Sequence, residues 1–342
     1  MRRQILKRIS ILLLIILLVF AFISIAGECV SREEASIGMA VEFTDHAACA
    51  YISQDKGWFE EEGLNLTTYE SYVTGMALAS ALARGDIQVA YICLIPAINV
   101  YANAKVPIKI VAGTHKYGYG LVVNPDRVKT IQDLEKPDIR IGCVREGGPT
   151  DVLLHKIIDK YNLKEEKIIS NTRRMSPPKQ ILAIQSGQLD AVFLPEQWST
   201  MAEEFGFRML LMSQEVWPEM QGSVLVVKEE LIKNHPDLVK KLVRVSKRAT
   251  DWANQYREEA AEVVARQLQK AVGSLFPVED ADLVSKIEIT AEVLLKSMNR
   301  LEYTININPL IVQETINYMV NLGYIKSSFP AEDILDLSFI EE

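Results

Sequence analysis

Gly118-Tyr119-Gly120-Leu121-Val122-Val123 returns 104 residues later as Gly222-Ser223-Val224-Leu225-Val226-Val227. Each copy is a short β-rich run opened by glycine, and each closes one block of sequence and starts the next. A chain that leaves one unit through the first run and comes back through the second makes two adjacent extended crossings, and such crossings between α/β lobes form a hinge. Outward from these runs, Ile37 to Ser213 alternates short apolar segments with amphipathic stretches, the pattern of an α/β fold with mainly parallel sheets. Strands are expected at Ile37–Phe43, Leu64–Tyr69, Ile87–Ile92, Ile108–Ala112, Ile139–Val144, Lys167–Asn171, Ala191–Leu194 and Met209–Met212. Beyond Lys228 the apolar positions Leu238, Leu242, Val245, Ala249, Trp252 and Ala253 recur at helical spacing, so the remainder reads as mainly helical. The expected division is a first lobe over residues 36–120, a second over 121–222, and a return to the first over 223–342.

Residues 1–30 differ from the rest. Arg2, Arg3, Lys7 and Arg8 precede an 18-residue run from Ile9 to Ala26 broken only by Ser10 and Ser24. That is a charged segment before an apolar one, which places the body of the chain outside the cytoplasm, whether the segment is cleaved as a signal peptide or kept as a membrane anchor. Lipidation at Cys29 is a further alternative, against which Glu28 replaces the small residue such sites carry. The 342 residues are 49% hydrophobic and 24% charged, ordinary for two globular domains. A net charge of −8 with no basic patch argues against a nucleic-acid partner. The four cysteines (Cys29, Cys49, Cys93, Cys143) show no CxxC spacing, so a zinc or redox site is not expected and buried free thiols are.

In open α/β sheets ligands lie beyond the carboxyl ends of strands, against helix N-termini whose free N–H groups favour negative charge. The segments there are Asp45-His46, Tyr72-Val73-Thr74-Gly75, Cys93 to Pro96, His115-Lys116-Tyr117, Gly147 to Thr150, Ser176 to Pro178 and Pro195 to Trp198. The candidate ligand contacts are Asp45, His46, Tyr72, Thr74, Gly75, Cys93, His115, Tyr117, Gly148, Thr150, Glu196 and Trp198. Each also has an ordinary reading: Asp45 as a helix cap, Glu196 as a first-turn carboxylate, Trp198 and Trp217 as core.

Asp45-His46-Ala47, Gly57-Trp58-Phe59-Glu60-Glu61-Glu62-Gly63-Leu64, Gly85-Asp86 and Ser186-Gly187-Gln188-Leu189-Asp190-Ala191 resemble, in order and spacing, the nitrate, sulfonate, taurine and bicarbonate branch of the solute-binding proteins of ABC transporters. The resemblance implies a type II periplasmic-binding-protein fold, two α/β lobes closing on a two-strand hinge, and delivery of a small ligand to a permease and its ATPase. It also implies that Gly148 and Thr150 contact an anion from the second lobe and Tyr72, Thr74 and Gly75 from the first. Glu196-Gln197-Trp198 is similar to the Glu-Pro-Trp of nitrate-type members, and Gln197 in place of proline weakens the case for nitrate itself against taurine or a sulfonate. Asp45-His46-Ala47 also resembles relatives that bind thiamine-pyrimidine precursors. An enzyme of the thiamine-pyrimidine synthase kind is the disfavoured alternative, because its cysteine cluster is missing; no catalytic residue, cofactor or metal is expected.

Overall fold

The computed structural model describes residues 37–276 and 288–340, so the basic and apolar N-terminal segment lies outside the described residues. The chain builds two five-stranded sheets. The first contains β1 (Ile37–Glu42), β2 (Leu66–Tyr72), β3 (Val89–Cys93), β4 (Ile108–Gly113) and β11 (Ser223–Lys228), in the spatial order β2-β1-β3-β11-β4. The second contains β6 (Tyr119–Val123), β7 (Ile141–Cys143), β8 (Thr172–Arg174), β9 (Ala191–Pro195) and β10 (Arg208–Met212), in the order β10-β6-β9-β7-β8. A short pair, β5 (His115–Lys116) with β12 (Glu302–Tyr303), lies at the crossing.

In the first sheet β1, β2 and β3 run parallel while β11 is antiparallel to both β3 and β4. In the second, β7, β8 and β9 run parallel while β6 is antiparallel to both β9 and β10. The one reversed strand in each sheet is therefore the one carrying the repeated glycine-led run. Chain direction requires this. The chain leaves β4 at its carboxyl end, where the sheets meet, and enters the second sheet from that same edge, so β6 must run away from it; β10 and β11 repeat the move in reverse. The crossings are stitched together by Tyr117 N–H to Met220 O (2.9 Å) and Gly222 N–H to His115 O (3.1 Å).

Seven of the eight expected strands form, with ends shifted by up to three residues. Lys167–Asn171 does not. It belongs to the helix Glu165–Asn171, and the strand comes after it at Thr172. Glu165 and Glu166 favour the positive end of a helix, and only Ile168 of that helix is buried, where a strand would bury alternate residues. Helices fill the C-terminal part as expected, notably Pro236–Gln255 and Arg257–Leu275. Among the described residues no helix is long and apolar enough to cross a membrane. Apolar packing passes between the sheets on both sides, with Val41, Tyr91 and Leu225 sharing a cluster with Leu194 and Trp198, and Ile92 and Val224 sharing another with Leu121 and Phe193.

Candidate functional site

β1 ends at Glu42, whose buried carboxyl accepts the Cys93 N–H at 2.6 Å. Burial pushes the Glu42 pKa up to about 7, against the opposing effect of that N–H. A side chain at residue 75 would collide with this carboxyl and with Pro96, which is why glycine stands there. Thr74 caps the next helix by accepting the Ala77 N–H, and the Tyr72 hydroxyl donates to Glu70. Because a buried acid with a raised pKa holds its proton where the unfolded chain would release it, wild-type stability falls as pH rises from about 4.5 to 7 on account of Glu42. Glu42→Gln keeps the acceptor for Cys93 and removes this loss. The variant is expected to match the wild type at pH 4 and to exceed it at pH 8 by on the order of 2 kcal/mol in urea denaturation; equal stabilities at pH 8 would show that Glu42 ionises freely.

The next residues enter the seam between the sheets. Thr44, not Asp45, caps the turn, its hydroxyl accepting the His46 N–H at 3.1 Å. Asp45 N–H donates to Gln197 Oε1 at 2.8 Å, joining the carboxyl end of β1 to that of β9. The Asp45 carboxylate accepts from Ser297, its backbone carbonyl accepts from Tyr303, and its second oxygen, Oδ1, has no partner among the described residues. Burial raises its pKa to about 7, with the nearby Glu196 adding to the rise. His46 donates from Nε2 to the Gly118 carbonyl at 2.8 Å, and its ring centroid lies 4.3 Å from that of His115. His115 in turn accepts the Ser223 N–H at 3.1 Å. Burial lowers the pKa of both rings, that of His115 to about 4, so both are neutral at pH 7.

Glu196 opens the helix Glu196–Glu204 and is 1% exposed. Arg300 donates to it at 3.0 Å and forms an ion pair with Glu203 at 2.7 Å; burial still leaves the Glu196 pKa raised. Trp198 is fully buried against Phe43, ring centroids 6.2 Å apart. Cys93 accepts the Tyr119 hydroxyl at 3.0 Å. Cys49, Cys93 and Cys143 are buried and free, with burial raising the thiol pKa of Cys49 and Cys143 to about 12, so neither is a thiolate at pH 7.

The helix Pro149–Tyr161 opens at Gly148, but the chain's own groups occupy its entrance. Gly148 N–H donates to the Arg145 carbonyl, and Gly147 N–H donates to Asp151 Oδ2 at 2.9 Å. Arg174 pairs with the other Asp151 oxygen at 2.6 Å, and the Tyr324 hydroxyl also donates to that carboxylate. Thr150 is 1% exposed, and its hydroxyl accepts from Cys143.

The fold thus gathers Asp45, His46, Cys93, His115, Glu196 and Trp198 into one buried region and sets Tyr72, Thr74 and Gly75 beside it through Glu42. Gly148 and Thr150 lie with Asp151, while Tyr117 lines an outer groove with Arg300. The sequence reading missed Gln197, Ser297, Arg300, Tyr303 and Tyr324 as partners. Only Gln197 carried a local signal, its position after a strand end.

Residues 31–269 match the model of the NMT1-like family. The taurine-binding periplasmic protein of Escherichia coli is 24% identical over 216 residues, 62% of this chain and 65% of the relative. The alkanesulfonate-binding protein of Xanthomonas axonopodis pv. citri superposes with a TM-score of 0.72 at 14% identity, over 90% of this chain and 100% of that one. The periplasmic nitrate-binding protein of Synechocystis PCC 6803 gives 0.69 at 15% identity, over 90% of this chain and 88% of that one. The fold is that of the periplasmic binding proteins.

Proposed function

Since the chain belongs to the NMT1-like family, we propose that it is the solute-binding component of an ABC importer. It holds a small oxyanion of the taurine, sulfonate or nitrate kind between its two sheets and passes it to a permease worked by an ATPase. The observation that carries this reading is the seam itself: the carboxyl ends of β1 and β9 meet through Asp45 and Gln197, and the crossings that join the sheets are two glycine-led strands. Residues 36–120 with 223–342 act as one lobe and 121–222 as the other, turning about those crossings. The body works outside the cytoplasm, with residues 1–30 either removed or holding it to the membrane, as the basic start and the Ile9–Ala26 run support.

A second reading has its own support. Asp45 Oδ1 and His46 Nδ1 are buried and without partners among the described residues. Such acceptors suit a ligand bearing N–H groups, as a thiamine-pyrimidine precursor does.

One experiment separates the two. A ligand present at a hundredfold excess over its dissociation constant stabilises the native state by about 2.7 kcal/mol, which a melting curve resolves. Taurine, ethanesulfonate and nitrate are expected to raise the melting temperature and, in small-angle scattering, to reduce the radius of gyration. A shift with hydroxymethyl-aminopyrimidine alone selects the second reading. No change in either measurement across the panel would overturn both.

A further inference from the structure

A chamber of about 440 Å³ lies between β2 and the helix Arg257–Leu275, bordering the seam only through Tyr51, whose hydroxyl donates to the Glu42 carbonyl, and Tyr72, which pairs with Glu42 along β1. Tyr51, Tyr69, Ser71, Tyr72, Gln267 and Lys270 line it, with Leu275 at one wall, and none of its lining residues belongs to the second sheet. Alternation along β2 puts Tyr69 and Ser71 on one side of the strand, where the Tyr51 and Tyr69 rings meet edge to face, 6.5 Å between centroids.

The polar inventory of this chamber is unbalanced toward donors. The Tyr69 hydroxyl is buried and has no partner among the described residues. A buried hydroxyl left this way costs free energy that an incoming acceptor recovers. The Lys270 ammonium forms no ion pair among the described residues, because the nearby Asp55 carboxylate is already held by Arg266 and Gln267 at 2.6 and 2.7 Å. Tyr51 spends its proton on the Glu42 carbonyl, and Ser71 lies 3.4 Å from it. Glu70, the one carboxylate in the lining, accepts from Tyr72. An ammonium, a free phenol and a hydroxyl beside aromatic faces are what a negatively charged head on a small flat or apolar body requires.

We propose that this chamber is a second binding site, contained within the first sheet and its helices, for a small organic monoanion such as an aryl carboxylate or sulfonate. Its anionic head meets Lys270 and Tyr69, and its body rests on the Tyr51 and Tyr69 rings. Binding here needs no approach of the two sheets, so it stands apart from the transport reading.

The test uses 4-bromobenzenesulfonate with the exported body of the protein, located by bromine anomalous scattering and titrated by calorimetry. Bromine is expected in the chamber, within reach of Lys270 and Tyr69. Lys270→Met and Tyr69→Phe should each weaken this binding by about tenfold, whereas Lys270→Arg should stay within about threefold of the wild type. Lys270 is exposed, so its variants should keep the unliganded melting temperature, and Tyr69→Phe, which removes a buried hydroxyl without a partner among the described residues, should keep or raise it; weaker binding without a lower melting temperature separates lost binding from lost folding. An empty chamber at saturating probe, bromine only between the sheets, or equal affinity in wild type and Lys270→Met would overturn the proposal. Failure of taurine, ethanesulfonate, nitrate and the pyrimidine to close the lobes would leave the chamber result untouched.

Discussion

Gly118→Ala is expected to cost about 3 to 4 kcal/mol of folding stability, the sum of a backbone term and an overpacking term. Gly118 sits at φ +96°, which side chains rarely adopt, and an added Cβ would lie 2.6 Å from His46 Nε2 and 2.9 Å from His115 Cε1. Neither ring can retreat: His46 is held to the Gly118 carbonyl and His115 accepts from Ser223. Gly206→Ala supplies the control, since Gly206 has a similar φ of +88° and nothing within 4 Å of the added atom. It should lose only the backbone share, about 1 to 2 kcal/mol. Urea denaturation of both variants at pH 7 checks this. Equal losses would mean that the histidine pair yields freely and that the crossing is less tightly packed than its distances imply.

Arg300→Met is expected to lose about 3 kcal/mol, because it leaves the Glu196 carboxylate buried without its cation. Glu196 is 1% exposed and lies near Asp45, whose own pKa its charge helps to raise. Thr200 remains as a hydrogen-bond donor at 3.2 Å, too little to replace a guanidinium. The double variant Glu196→Gln with Arg300→Met removes the more deeply buried of the two carboxylates that Arg300 pairs, while Lys296 stays 3.5 Å from the other, Glu203, so it should recover more than half of the loss. If the double variant proves less stable than Arg300→Met alone, the Glu196 carboxylate has another partner and the pairing is not what holds it. Because Arg300 connects the Glu196–Glu204 helix to the chain ahead of β12, the same measurement reports on the seam between the sheets.

The two sheets and the paired crossings were legible because each rests on local chemistry. Val-rich runs favour extended backbone, and the glycine before each run marks where chain and side chains come too close for a Cβ, as His46 shows at Gly118 and His115 at Gly222. Lys167–Asn171 misled for the opposite reason: five residues with two adjacent isoleucines fit a strand or a short helix equally well. Packing underneath made the choice, Ile168 alone being fully buried while Ile169 packs at the core's edge. The site was legible by position and not by role. Asp45, His46, Glu196 and Trp198 were singled out as strand-end residues, and they do lie together. That Glu196 is answered by Arg300, 104 residues later, and Asp151 by Tyr324, 173 residues later, leaves no trace in either neighbourhood.

By itself, then, the sequence determined the alternation of strands and helices, the glycine-led runs at the crossings and the export-like start, since propensity, periodicity and backbone freedom act over a few residues. Only the tertiary structure decided that both of these runs are the reversed strands of their sheets, that the acids at the strand ends are buried and paired with distant partners, and that Tyr69 and Lys270 share a chamber. Those outcomes depend on which surfaces meet once the chain is packed. Burial then raises the pKa of one carboxyl and gives another a cation, according to neighbours that local sequence does not specify.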